Sequence, residues 1–203
     1  MKTLTIGLVD YGMGNHASVI SALHDLGFRV RLSDSIDVLN DTDALLLPGV
    51  GAFPKAMDAL HSRGLVEYLR NWAREQRPII GICLGMQLLA SASHEHSYTP
   101  GLDLIPGEIM PLAGAKWHIG WNTIECIHQD ELFIPSDGQA FYFNHSFSYQ
   151  GPEEYQVAIS RNPGHLVAAI RRGGVVGLQF HPEKSQSAGR VLLNNVITGL
   201  CHA

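Results

Sequence analysis

Short, unbroken apolar runs alternate with stretches of helical spacing through the first half of this chain, and few patterns restrict a fold as tightly. Residues 4–9 form one run, Gly12 and Gly14 interrupt it, and Val19, Ile20, Leu23 and Leu26 then recur along one helix face until Gly27. Further strands are predicted at 28–32, at Ala44–Leu47 (closing at Pro48-Gly49) and at 78–82, with helical stretches near 54–61 and 65–75 between the last two. A strand that is apolar at every residue must be covered on both faces. The expected class is therefore α/β, with a central, mostly parallel sheet flanked by helices. The second half differs: 108–111, 121–126, 139–143, 156–160, 166–170 and 175–180 are closely spaced strand candidates separated by Gly, Pro, Asp and Asn, which predicts antiparallel hairpins. A last helix, with Ala188, Val191, Leu192, Val196 and Leu200 on one side, follows them.

At 203 residues and 45% hydrophobic, without repeat or low-complexity linker, residues 1–203 are expected to form a single domain. The formal net charge is −5 and no block of Lys or Arg occurs, which argues against a nucleic-acid partner. Asp10 breaks the N-terminal apolar run well short of a signal sequence or membrane span, so no membrane partner and a cytoplasmic location are expected. The three cysteines, Cys83, Cys126 and Cys201, are odd in number and widely spaced, against a disulfide framework or a zinc site.

The segment Pro78-Ile-Ile-Gly-Ile-Cys83-Leu-Gly-Met-Gln87 carries the chemistry. A buried strand runs into Gly81-Ile-Cys83-Leu-Gly85 and then a helix, the layout of a nucleophile elbow with Cys in place of Ser. At a helix N-terminus the backbone dipoles favour a thiolate. The N–H of Leu84 and the turn Pro48-Gly-Val-Gly51 are candidate oxyanion donors, and both loops leave C-terminal strand ends, where open parallel sheets bind ligands. Further on, Gln179-Phe-His181-Pro-Glu183-Lys184 sets a base and a carboxylate two residues apart across a stiffening proline. His181 would take the thiol proton and Glu183 would hold its tautomer. Singly, each motif has a plain alternative, a buried structural cysteine or a solvated His-Pro turn; in this order together they point to catalysis.

Seven segments now carry a resemblance: Asp10-Tyr-Gly-Met-Gly-Asn15, Leu47-Pro-Gly-Val-Gly51, Gly81-Ile-Cys-Leu-Gly-Met-Gln87, Gly101-Leu with Ile105-Pro-Gly107, Ile119-Gly-Trp-Asn122, Phe143-Asn-His-Ser146 and Gln179-Phe-His-Pro-Glu-Lys-Ser185. The chain resembles the class I, triad-type glutamine amidotransferases over nearly its whole length, and most closely those that serve histidine biosynthesis. The resemblance implies a Cys83, His181, Glu183 triad reacting through a glutamyl thioester, Gly51 and Leu84 at the oxyanion site, and Gln87, Ser146 and Phe147 in the glutamine pocket. No cofactor and no metal are expected. The resemblance also implies a heterodimer with a (β/α)₈ cyclase, which uses the ammonia to make imidazole glycerol phosphate and an aminoimidazole carboxamide ribotide and whose substrate switches the glutaminase on; Asn15, Trp121 and Lys184 match positions at that interface.

Three departures from the family pattern stand out. The family usually has Pro-His before Gly-Trp-Asn where this chain has Lys116-Trp117-His118-Ile119-Gly120, Ser93-His-Glu-His96 stands where the family usually has Glu-Gly, and Gln186 follows Lys184-Ser185. They leave open a paralogous glutaminase feeding another synthase, such as one that amidates surface-polysaccharide sugars. A stand-alone cysteine hydrolase and a non-catalytic scaffold are further alternatives; the intact Cys, His and Glu speak against the scaffold. Gly12-Met-Gly14-Asn-His-Ala17 with Asp34 also fits a dinucleotide-binding fingerprint, although nothing downstream suggests a hydride acceptor, and His94 and His96 are read as solvated loop residues rather than metal ligands.

Overall fold

The computed structural model describes residues 3–161 and 164–202. The first half supplies β1 (Thr5–Val9), α1 (His16–Asp25), β2 (Arg29–Ser33), α2 (Ile36–Asn40), β3 (Ala44–Leu47), α3 (Phe53–Ser62), α4 (Leu65–Arg74), β4 (Ile79–Ile82) and α5 (Leu84–Leu88). The second half supplies β5 (Ala92–Ser93), β6 (Thr99–Pro100), β7 (Glu108–Pro111), β8 (His118–Thr123), β9 (Glu125–Cys126), β10 (Ala140–His145), β11 (Phe147–Gln150), β12 (Gln156–Ser160), β13 (Leu166–Arg172), β14 (Val175–Leu178) and α6 (Gln186–Cys201).

Among the described residues the main sheet has eight strands in the order β2-β1-β3-β4-β14-β13-β12-β9. The first five are parallel to one another and the last three join antiparallel. Both faces are covered, as continuous apolar strands require. Ala44 and Leu46 face one cluster with Ile6, Leu23, Leu192 and Val196, while Leu45 and Leu47 face the other with Phe53, Leu69 and Trp72. Burying each such aliphatic side chain stabilises the fold by about 1.5–3 kcal/mol before entropy is counted.

Where the structure departs from expectation, long-range pairing is the cause. The predicted strand 121–126 is two strands, because at Ile124 the chain leaves β10, the partner of β8, and β9 pairs with β12 instead. Sequence-neighbour hairpins occur at β12-β13-β14, but β7 pairs with β11, and β5 with β7 in parallel. α2 and β11 went unpredicted, being short segments without a clear period. On α6 the buried side is Leu192, Leu193, Val196, Ile197 and Leu200; Val191 is 47% exposed, one residue off that face. Among the described residues no helix is long and apolar enough to cross a membrane.

Two junctions position the site. β14 lies beside β4 in parallel register, Leu178 opposite Ile82, so the segments leaving the two strands emerge together. The close fit of α5 to β3 depends on Gly85, where an added Cβ would stand 1.8 Å from the Leu47 carbonyl oxygen.

Candidate active site

Cys83 is the N-cap of α5 and adopts φ 54° and ψ −111°, a backbone conformation that a non-glycine residue holds only at a cost of about 1–3 kcal/mol. Hydrogen bonds on both sides hold it there: its N–H donates to the Leu178 carbonyl at 2.7 Å, and its carbonyl accepts from Gln87 N at 3.2 Å. The sharp turn leaves Cys83 beside a cavity, with its Sγ 3.7 Å from the Asn144 carbonyl oxygen. α5 is only five residues long, so what it offers an anion is the free N–H groups of its first turn, Leu84 among them, rather than a long dipole.

His181 leaves β14 next to Cys83. Its Nδ1 lies 2.8 Å from Glu183 Oε1, with the two side chains only 3% and 2% exposed. Its backbone is pinned as well: the N–H donates to Tyr142 O at 2.8 Å, and its carbonyl accepts from Ser185 Oγ at 2.6 Å. Burial disfavours the imidazolium, but the neighbouring Cys83 and the hydrogen-bonded Glu183 outweigh it, raising the His181 pKa to about 9. With Nδ1 engaged by Glu183, Nε2 is the nitrogen left for the thiol.

A cavity of about 280 Å³ gathers most of the residues singled out in the sequence. Gly51, Cys83, Leu84, Gln87, Ser146, Phe147, His181 and Lys184 line it. Glu183 lies behind His181 and outside the lining, as an orienting group would. Asn15 and Trp121 are not in the lining either. Asn15 is the exposed N-cap of α1, accepting from Ser18 N at 3.4 Å, and Trp121 is an exposed residue of β8 whose ring meets the edge of Tyr142. A cavity of about 580 Å³ lined by Arg70, Arg74, Arg77 and Arg172 is larger but has no nucleophile; chemistry, not size, selects the site.

Other residues of the cavity escaped sequence reasoning. Glu95, grouped with a solvated loop, lines it, with Oε2 accepting from Phe53 N at 2.7 Å at the start of α3. His145 lines it too, and burial lowers its pKa to about 4. Its presence within Phe143-Asn-His-Ser146 was the available signal, but a strand histidine does not reveal its partner. His94 pairs with Glu108 at 2.8 Å and His96 is exposed, and among the described residues no cluster of three or more His, Cys, Asp or Glu side chains could hold a metal. At the would-be dinucleotide turn, Gly14 packs closely against Pro48 and His16.

The chain belongs to the class I glutamine amidotransferases, matching Glutamine amidotransferase class-I over residues 7–198. Within the family it stands with the HisH proteins. The imidazole glycerol phosphate synthase subunit HisH of Moorella thermoacetica is 44% identical over 196 residues, covering 94% of this chain and 92% of that protein. The subunit of the same name from Listeria monocytogenes serotype 4a is 40% identical over 192 residues, covering 93% and 92%. In fold alone, the solved structure of PurLQS from Thermotoga maritima is similar, with a TM-score of 0.77 at 18% identity over 98% of this chain and 100% of that one.

Proposed function

We propose that the chain is the glutaminase subunit of an imidazole glycerol phosphate synthase, acting as one domain with Cys83 as nucleophile. The observation that carries this reading is the buried 2.8 Å His181–Glu183 contact beside Cys83 on its elbow. The Cys83 sulfur attacks the carboxamide carbon of glutamine while the thiol proton rests on His181. The negative charge developing on the carboxamide oxygen is met by backbone N–H groups at Leu84 and the Gly51 turn. As the C–N bond breaks, His181 returns the proton to the leaving nitrogen, which departs as ammonia and leaves a γ-glutamyl thioester on Cys83. Water, deprotonated by His181, then hydrolyses the thioester to glutamate and the free thiol. Glu183 keeps the imidazole oriented throughout and offsets its positive charge.

Gln87, Ser146 and Phe147 form the walls of the glutamine pocket, and the Glu95 carboxylate complements the substrate ammonium. Ammonia released into water at neutral pH would be protonated and lose its nucleophilicity. The glutaminase therefore docks on a (β/α)₈ cyclase through the face carrying Asn15, Trp121 and Lys184, and the ammonia passes on without meeting solvent.

The test is release of glutamate and ammonia from glutamine by wild type and by Cys83→Ala, each alone and with the cyclase and its nucleotide substrate. Cys83-dependent release that rises sharply in the complex is expected. Release that the cyclase leaves unchanged would move the assignment to a different synthase, and no release in any mixture would overturn the glutaminase reading.

A further inference from the structure

Behind the pocket wall, four polar groups form a hydrogen-bonded line with one consistent direction. His145 Nδ1 lies 2.8 Å from the Phe147 carbonyl oxygen, His118 Nδ1 lies 2.9 Å from His145 Nε2, and Asn122 Nδ2 lies 2.6 Å from His118 Nε2. A carbonyl only accepts, so His145 carries its proton on Nδ1, and its Nε2, as a neutral ring, accepts. His118 must then donate from Nδ1 and accept at Nε2, and Asn122 must donate. One backbone carbonyl thus sets both tautomers. A proton added to either ring would put two N–H groups face to face or break the contact to Asn122. Burial lowers the pKa of both rings, in keeping with neutral imidazoles. His118 is further held by stacking on Phe143, with ring centroids 4.6 Å apart.

The line ends at the substrate pocket. The Phe147 carbonyl also accepts from Gln87 Nε2 at 3.1 Å, and that nitrogen's other proton goes to Gln179 Oε1 at 3.2 Å. Both amide protons of Gln87 are spent, which leaves its Oε1 as the free acceptor on a side chain that lines the cavity. We propose that His118 is a positioning residue for the amide substrate: through His145 it holds the Phe147 carbonyl, and the carbonyl holds Gln87 in its binding orientation. The inference deepens the glutaminase reading and rests on it. His118 touches none of the reacting groups, so its removal should weaken glutamine binding more than turnover.

Steady-state glutamine hydrolysis by the full chain in complex with the cyclase tests this on three variants. His118→Phe keeps the stacking on Phe143 and loses the polar line; its KM for glutamine is expected to rise about tenfold, the worth of roughly one hydrogen bond, with kcat within about twofold of wild type. His118→Asn carries an amide N–H that takes the place of Nδ1–H and should restore much of the KM. Asn122→Ala, at the less buried end, removes the donor that fixes His118 Nε2 as an acceptor; it should raise KM without altering the melting temperature, so the test survives if His118→Phe does not fold. Alkylation of Cys83 by iodoacetamide should proceed at the wild-type rate in all three. Wild-type KM in both His118→Phe and Asn122→Ala, a fall in kcat at constant KM, or no rescue by His118→Asn would overturn the inference alone. A wild type without Cys83-dependent hydrolysis would overturn the glutaminase reading and this inference with it.

Discussion

His181 Nδ1 and Glu183 Oε1 lie 2.8 Å apart although only Pro182 separates the two residues, and neither side chain is more than 3% exposed. Pro182 opens a 3₁₀ turn over Pro182–Lys184, which folds the carboxylate back onto the imidazole of its near neighbour. The second carboxylate oxygen is buried without a hydrogen-bond partner. For catalysis the value of the pair lies in fixing one ring geometry.

Replacing Glu183 by Gln therefore should cost activity rather than fold. The amide can present an N–H to Nδ1 and favour the wrong tautomer, so kcat for glutamine hydrolysis is expected to fall by about 10²–10⁴. Circular dichroism of Glu183→Gln should match wild type; retention of more than a tenth of the activity would count against the orienting role.

The His181 pKa also predicts a pH dependence. A group whose pKa is raised by folding, here from 6.5 to about 9, adds stability that is complete below the unfolded value and is lost as pH rises through the folded one. The contribution should fade between pH 6.5 and 9. Melting temperatures of wild type and His181→Asn, measured across that window, should converge as pH rises.

Gly85 and Gly138 make a contrasting pair for stability. An added Cβ at Gly85 would fall 1.8 Å from the Leu47 carbonyl oxygen, whereas at Gly138 nothing lies within 4 Å and only the backbone conformation, φ +69°, resists a side chain. Gly85→Ala is expected to lose more than ~3 kcal/mol in urea unfolding and Gly138→Ala about 1 kcal/mol. Equal losses would show that α5 can move off β3.

Trp121, 48% exposed, lies on the face proposed to meet the cyclase, and Trp117, four residues before it, is 64% exposed. Truncating either to Ala should leave the melting temperature within about 2 °C and weaken cyclase binding tenfold or more in calorimetry, as aromatic anchors do. Unchanged affinity in both would place the docking surface elsewhere.

The parallel half of the fold was legible because its signals are local: apolar runs mark β1, β3 and β4 as strands covered on both faces, and glycine punctuates the turns. The elbow around Cys83 and the turn at His181 could be read for the same reason, since each is built by the backbone preferences of five or six adjacent residues. The split of 121–126 into β8 and β9, the pairing of β7 with β11, and the face of α6 depend on which distant segment each one meets.

From its sequence alone this protein already had a parallel α/β core, a thiol at a strand-to-helix turn and a His-Glu pair, because short-range sterics and apolar periodicity suffice to specify them. Only the tertiary structure brought Glu95 into the cavity and joined His118 to His145 across 27 residues. Those contacts arise from the register of β8 against β10 and from α3 packing near the loop at Glu95. Register is the outcome of packing over the whole sheet, where a shift of one residue would turn His118 from the interior to the solvent.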